Sequence, residues 1–86
     1  MPEISRFLGI VIAMFYRDHA PPHFHAIYGE YEVNVMIETF EILGGSIPHR
    51  ALGLVLEWAV LHRRELRRNW NRARRGESLQ PIKPLE

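Results

Sequence analysis

The hydrophobic period of this chain changes once, at Gly44-Gly45-Ser46, and that change limits the folds open to it. Before it the apolar residues alternate or run together, as in strands; after it they recur every three or four positions, as in a helix. Tyr31–Thr39 is the clearest strand. Tyr31, Val33, Val35 and Ile37 fall on one face, and Glu32, Asn34, Met36 and Glu38 on the other, which predicts a solvated outer side. Phe7–Tyr16 is an apolar run rich in Ile, Val and Phe, and predicts one strand covered on both faces. Asp18–Pro22 ends it, because two prolines cannot continue a ladder. Phe24–Tyr28 predicts a second strand and Phe40–Leu43 a short fourth one. The brief links at Gly29 and Thr39 favour antiparallel hairpins.

After the switch, Ser46 is a candidate N-cap and Pro48 suits a first helical turn. One long helix is expected to run to about Arg75, with Gly76 as its stop. Ala51, Val55, Trp58, Ala59, His62, Leu66, Trp70 and Ala73 share one stripe, which should cover the sheet. From Ala51 to Leu61 the helix is apolar nearly all round, since Leu54, Leu56, Val60 and Leu61 lie off the stripe. One small sheet cannot cover that. Either the tail Ser78–Glu86 does so, through Ile82 and Leu85, or a second copy does, which predicts a homodimer. The expected fold is therefore α+β: a small antiparallel sheet of three to four strands packed against one long C-terminal helix. Residues 1–76 form a single domain in this reading, and residues 77–86, with Pro81 and Pro84, an extended tail.

At 86 residues the chain supports one small domain. It has no cysteine, which excludes disulfides, thiolate metal sites and a cysteine nucleophile. Its apolar stretches fall short of the roughly 20 residues of a membrane span, and Met1–Arg6 lacks the basic and apolar regions of a secretory leader. A cytoplasmic protein is expected. Charge is unevenly spread. Residues 1–60 carry three basic groups against seven acidic ones, a net of −4, and residues 61–86 carry eight against three, a net of +5. Arg63, Arg64, Arg67, Arg68, Arg72, Arg74 and Arg75 cover more than half of the helix circumference, with Arg64, Arg68, Arg72 and Arg75 in one line. Arginine suits bidentate phosphate or carboxylate contacts, so this face predicts a nucleic-acid or acidic protein partner. A solvated face that complements the helix dipole is the plainer alternative.

Asp18–His25 is the densest polar cluster and holds three of the five histidines. His23 and His25 point to one side of a strand and can offer two imidazoles to one ion; His19 or Asp18 can add a third ligand. The candidate metal set is His19, His23 and His25, with a zinc-like ion as the candidate cofactor. The same three imidazoles could act as acid and base without metal, as in phosphodiester cleavage at RNA 2′-hydroxyls, or only brace the proline turn. His62, on the apolar stripe, reads as a core residue unless the fold brings it to the cluster. His49 reads as solvated; Glu57, the single acid in the apolar half of the helix, needs a partner such as an arginine across an interface if buried and is solvated if exposed. There is no Gly-rich phosphate loop, no G-x-S-x-G and no H-E-x-x-H.

Met1–Phe7, Gly9–Ile12, Asp18–Ala26, Tyr28–Tyr31, Gly45–Ala51, Glu57-Trp58 and Asn69-Trp70 together resemble the bacterial and archaeal small-protein family labelled domain of unknown function 4160 (DUF4160). Asp18–Ala26 is the most specific of these segments. A lysine is common near position 13 in that family; Ala13 and Phe15 make this strand more apolar, which implies burial or an interface. The resemblance implies no settled activity. It implies genomic company, since such proteins are often encoded beside a second small domain, 2442 (DUF2442), in what are suggested to be toxin–antitoxin modules. Two functions follow as expectations. One is a toxin–antitoxin-like component that binds nucleic acid or a partner protein through Arg63, Arg64, Arg67, Arg68, Arg72 and Arg75. The other is a small nuclease-like toxin that uses His19, His23 and His25, with or without metal.

Overall fold

The computed structural model describes residues 2–86; Met1, which opens the Met1–Phe7 motif, lies outside the described residues. Five strands pair antiparallel in chain order: β1 (Glu3–Phe7), β2 (Ile10–Ala13), β3 (His23–Tyr28), β4 (Tyr31–Met36) and β5 (Ile42–Ser46). Two helices follow, α1 (His49–Leu61) and α2 (Arg63–Arg74). The expectation of three to four strands and one long helix is thus overturned in both counts.

The extra strand comes from the run Phe7–Tyr16, which is a hairpin rather than one strand. Leu8 and Gly9 both take positive φ, 52° and 81°, and make a two-residue turn whose twist matches the strands it joins. Leucine carries no turn signal, so the reversal hides inside an apolar run. The fourth predicted strand is displaced. Its pairing runs through Gly44 and Gly45, where the sequence places the change of period. A Cβ at Gly45 would collide with the Glu32 carbonyl oxygen, so glycine lets β5 approach β4 at that point. Ser46 consequently belongs to β5 and caps nothing; Pro48 occupies the N-cap, without a side-chain bond.

The helix breaks at His62, where φ is −126°. No proline or glycine stands there. The His62 N–H donates to Ala59 O (3.0 Å), and Leu66 N–H donates to His62 O (2.9 Å) to start the next helix. Arg63 then pins α2 to the end of β4: its Nε donates to Ile37 O (3.1 Å), and its guanidinium lies 4.2 Å from the Phe40 ring centre. The apolar stripe runs through the break, since Ala51, Val55, Trp58, Ala59, Leu66, Trp70 and Ala73 are all buried. Gly76 does end the helical segment, with Glu77 N–H on Arg72 O (2.9 Å) and Gly76 N–H on Ala73 O (3.2 Å).

Ile10, Ile12, Phe24, Ala26, Val33 and Val35 line the inner face of the sheet. Trp58 packs there between Phe7 and Phe24, with ring centres 5.6 and 6.0 Å away. The tail has no helix or strand, yet it is firmly docked. Ile82 is buried and its N–H donates to Ile4 O (2.7 Å); Trp58 Nε1 donates to Lys83 O (2.9 Å). Asn69 is fully buried and treats Gln80 as a strand partner would: its Nδ2 donates to Gln80 O (2.8 Å), and its Oδ1 accepts Gln80 N–H (2.9 Å). Among the described residues no helix is long and apolar enough to cross a membrane.

Removing the Asn69 amide strands both backbone groups of Gln80. Asn69→Ala should lower stability by about 2–3 kcal/mol, or roughly 10–20 °C in melting temperature for a domain of this size. A variant that melts within a degree or two of the parent would show that the tail does not depend on this contact.

Candidate functional site

The segment between β2 and β3 folds back so that Asp18 stands over the start of β3. Alternation on β3 sends Phe24 and Ala26 into the core and leaves His23 and His25 on the opposite face. Both rings are nonetheless covered, with side chains 3% and 11% exposed. Phe15 meets the His25 ring edge-on at 4.6 Å, and Trp70 of α2 lies 5.3 Å from the His23 ring. Ala13, the departure from the family pattern, is buried beside His25 in the β2–β3 register.

The two rings converge on one oxygen. Asp18 Oδ2 lies 3.0 Å from His23 Nε2 and 3.2 Å from His25 Nε2. Each ring is also held at its other nitrogen. His23 Nδ1 donates to Pro21 O (2.7 Å), and His25 Nδ1 donates to Glu32 Oε2 (2.9 Å). A neutral imidazole has one N–H and one lone pair, so a ring between two acceptors needs a second proton or a cation at the remaining nitrogen. Here that nitrogen is Nε2 in both rings, and both face the same carboxylate.

His19 sits apart from this pair. Its side chain is 87% exposed, and its Nδ1 and backbone N–H both lie 2.9 Å from Asp18 Oδ1. Asp18 therefore joins all three histidines. Burial works to raise its carboxyl pKa, but hydrogen bonds from His25 and from the His19 backbone, with the charge of His23, together outweigh burial and hold it below the usual carboxylate range. The donor atoms of Asp18, His23 and His25 lie within 4.8 Å of one another. The candidate ligand triplet thus has Asp18 where the sequence suggests His19. His62 stays away from the cluster, with its Nδ1 on Glu65 Oε1 (2.5 Å) and its ring against Trp58. His49 and Glu57 are exposed. Glu32 was invisible as a partner in isolation. The two-residue turn at Gly29-Glu30 sets the β3–β4 register and puts Glu32 and Asn34 on the face of His25.

The arginine face is less available than its sequence implies. Arg67 grips Glu38 with two bonds of 2.6 Å and holds that carboxyl below its usual range. Arg75 grips Glu77, Arg72 reaches Asn69 Oδ1, and Arg63 is spent on Ile37 and Phe40. Among the described residues, Arg64, Arg68 and Arg74 make no ion pair.

Asp18→Asn should expose the dependence of the cluster on one charge. In protein stripped of metal, the substitution should cost about 3 kcal/mol near pH 7. Because the folded-state pKa of Asp18 is depressed, its ionised form stabilises the fold above the unfolded value of about 3.9. That contribution is lost as pH falls through the lower folded value. Urea unfolding should accordingly show the gap between parent and variant closing in acid; a gap that stays constant down to pH ~3 would contradict this assignment.

No curated protein and no solved structure matches the chain. The family described as Domain of unknown function (DUF4160) matches residues 9–71, a span that contains β2 to β5, the Asp18 cluster, α1 and most of α2. The chain belongs to this family.

Proposed function

We propose that the protein is a small metalloprotein that binds one divalent ion of the zinc class through Asp18, His23 and His25. The chemistry this centre supports is metal-assisted hydrolysis of a nuclease-like kind, in the cytoplasm. One observation carries the reading: both Nδ1 atoms are held by acceptors while both Nε2 atoms face one carboxylate oxygen. Metal-binding histidines are commonly oriented in this way through the second nitrogen. The spacing also suits the ion. Zinc bonds of about 2.0–2.1 Å set ligand atoms about 3.3 Å apart on a tetrahedron, close to the 3.0 and 3.2 Å found here. A triplet of two histidines and one carboxylate leaves a fourth position for water or substrate, and the ion would supply a polarised water there.

Protein made without a polyhistidine tag should carry close to one zinc per chain. Free zinc at about 100 times its dissociation constant adds roughly 2.7 kcal/mol and should raise the melting temperature by roughly 10–20 °C. Asp18→Ala and His25→Gln should each abolish that rise. A parent protein with neither bound ion nor a zinc-dependent rise would rule the metal centre out.

A binding role, as one half of a toxin–antitoxin-like pair, is the second reading. It is favoured by Arg64 and Arg68, which are exposed, unpaired among the described residues and one helical turn apart. Val60 and Leu61, 61% and 67% exposed beside them, support a protein partner there, whether a second copy or a DUF2442-like neighbour. Arg64→Glu with Arg68→Glu should then remove salt-sensitive RNA binding or partner capture while the zinc response persists. Unchanged binding by that double variant would exclude this face.

A further inference from the structure

We propose that Arg17, Arg74 and His19 form a phosphate-binding subsite beside the histidine centre. The ligand is the phosphate group of a phosphate ester. This names a substrate class for the centre proposed above and in that sense rests on it, although the subsite itself needs no metal.

Arg17, Asp18, His19, Ala20 and Arg74 line one open hollow of about 340 Å³. Its two arginines are 57 positions apart in sequence and are brought together by a built contact: Arg17 N–H donates to Ala73 O (3.3 Å). Arg17 holds this position with φ at 57°, in the left-handed region that a side chain with a Cβ enters only at a cost. Such outliers gather at functional sites, and this one adjoins Asp18.

The charge pattern points to an anion. Arg6, Arg67 and Arg75 each hold a carboxylate, whereas among the described residues Arg17 and Arg74 pair with none. Asp18 is the acid in the hollow, but its oxygens are already engaged by His23, His25 and His19. The nearby end of α2 is capped as well. Ala73 O accepts from Arg17 and Gly76, and Arg72 O accepts from Glu77, so two of the carbonyls at that end already have donors. Two guanidiniums offer forked donors that match phosphate oxygens. His19 lines the same hollow with Nδ1 on Asp18 Oδ1, and in its doubly protonated form it can donate from Nε2 to a phosphate oxygen.

The test uses the full chain stripped of metal, so a failure of zinc binding cannot mask it. Amide and arginine side-chain resonances are followed while inorganic phosphate, adenosine 5′-monophosphate or a short single-stranded oligouridine is added. Shifts should centre on Arg17, His19, Ala20 and Arg74. The double variant Arg17→Gln, Arg74→Gln should weaken binding at least tenfold with its melting temperature unchanged, while Arg50→Gln, an exposed arginine on α1, should leave binding as in the parent. Tighter binding of the oligouridine assigns a phosphodiester, and tighter binding of the monophosphate assigns a phosphomonoester. Equal affinity in parent and double variant, shifts that centre on Arg64 and Arg68, or no saturable binding of any of the three probes would overturn the proposal.

Discussion

Trp58 is the residue through which the layers of this small fold are joined. Its ring fills the space between Phe7 of β1 and Phe24 of β3, so it ties the helix to both the early and the central part of the sheet. A buried indole must also place its N–H, because an unpaired donor there costs stability. The acceptor is the Lys83 carbonyl, which lies in the tail. One side chain thus couples sheet, helix and tail. Asn69 repeats the device one helix later by giving Gln80 a partner for both of its backbone groups. The tail can therefore cover much of an apolar helix without any secondary structure of its own. What it leaves bare, Val60 and Leu61, is the remainder of the surplus that the sequence shows.

The histidine cluster depends on the same packing. Phe24 is fixed in the core against Trp58, and the alternation of β3 then fixes His23 and His25 on the far face. Trp70 and Phe15 close over the two rings. Covering two imidazoles and a carboxylate in a domain this small is unfavourable unless every polar atom finds a partner. Five side-chain contacts among Asp18, His19, His23, His25 and Glu32, with Pro21 O, meet that demand. An apolar cluster would have stabilised this corner more simply, which is why a role beyond folding is the economical reading.

Much of this was legible in the residues, and the failures have identifiable causes. The β4 alternation and the Gly29 turn determine the central hairpin, and Val33, Val35 and Ile37 are buried as their spacing requires. The helical stripe was readable, even across a break that no helix-breaking residue marks. The Leu8-Gly9 turn was not, because leucine at positive φ has no sequence signature. The Gly44-Gly45 pair reads as the boundary between strand and helix periods because glycine serves both chain breaks and close strand approach, and only the position of Glu32 O separates the two. In the site, the three histidines and Asp18 were visible as a group. Their division was not: which of His19 and Asp18 joins His23 and His25 depends on how the loop folds back, and that is a tertiary fact.

The arginines show most clearly why composition alone misleads. By sequence they are one basic face, opposite in sign to the first 60 residues. In the fold the two halves partly neutralise each other, since Arg67 of α2 reaches across to Glu38 just beyond β4. An exposed pair of this kind adds little stability, but it removes a guanidinium from those free to meet a ligand. What separates the arginines here is whether each already has a partner in the fold, and that sorts the set differently from helical spacing. Arg17, which lies outside the helix and was no part of the basic face, lines the same hollow as Arg74. Arg63, Arg67 and Arg75, which were part of it, are already engaged. Among the described residues, the guanidiniums of Arg17 and of the basic face that make no side-chain hydrogen bond or ion pair are thus gathered in two places: the exposed turn of α2 at Arg64 and Arg68, and the hollow beside Asp18 at Arg17 and Arg74.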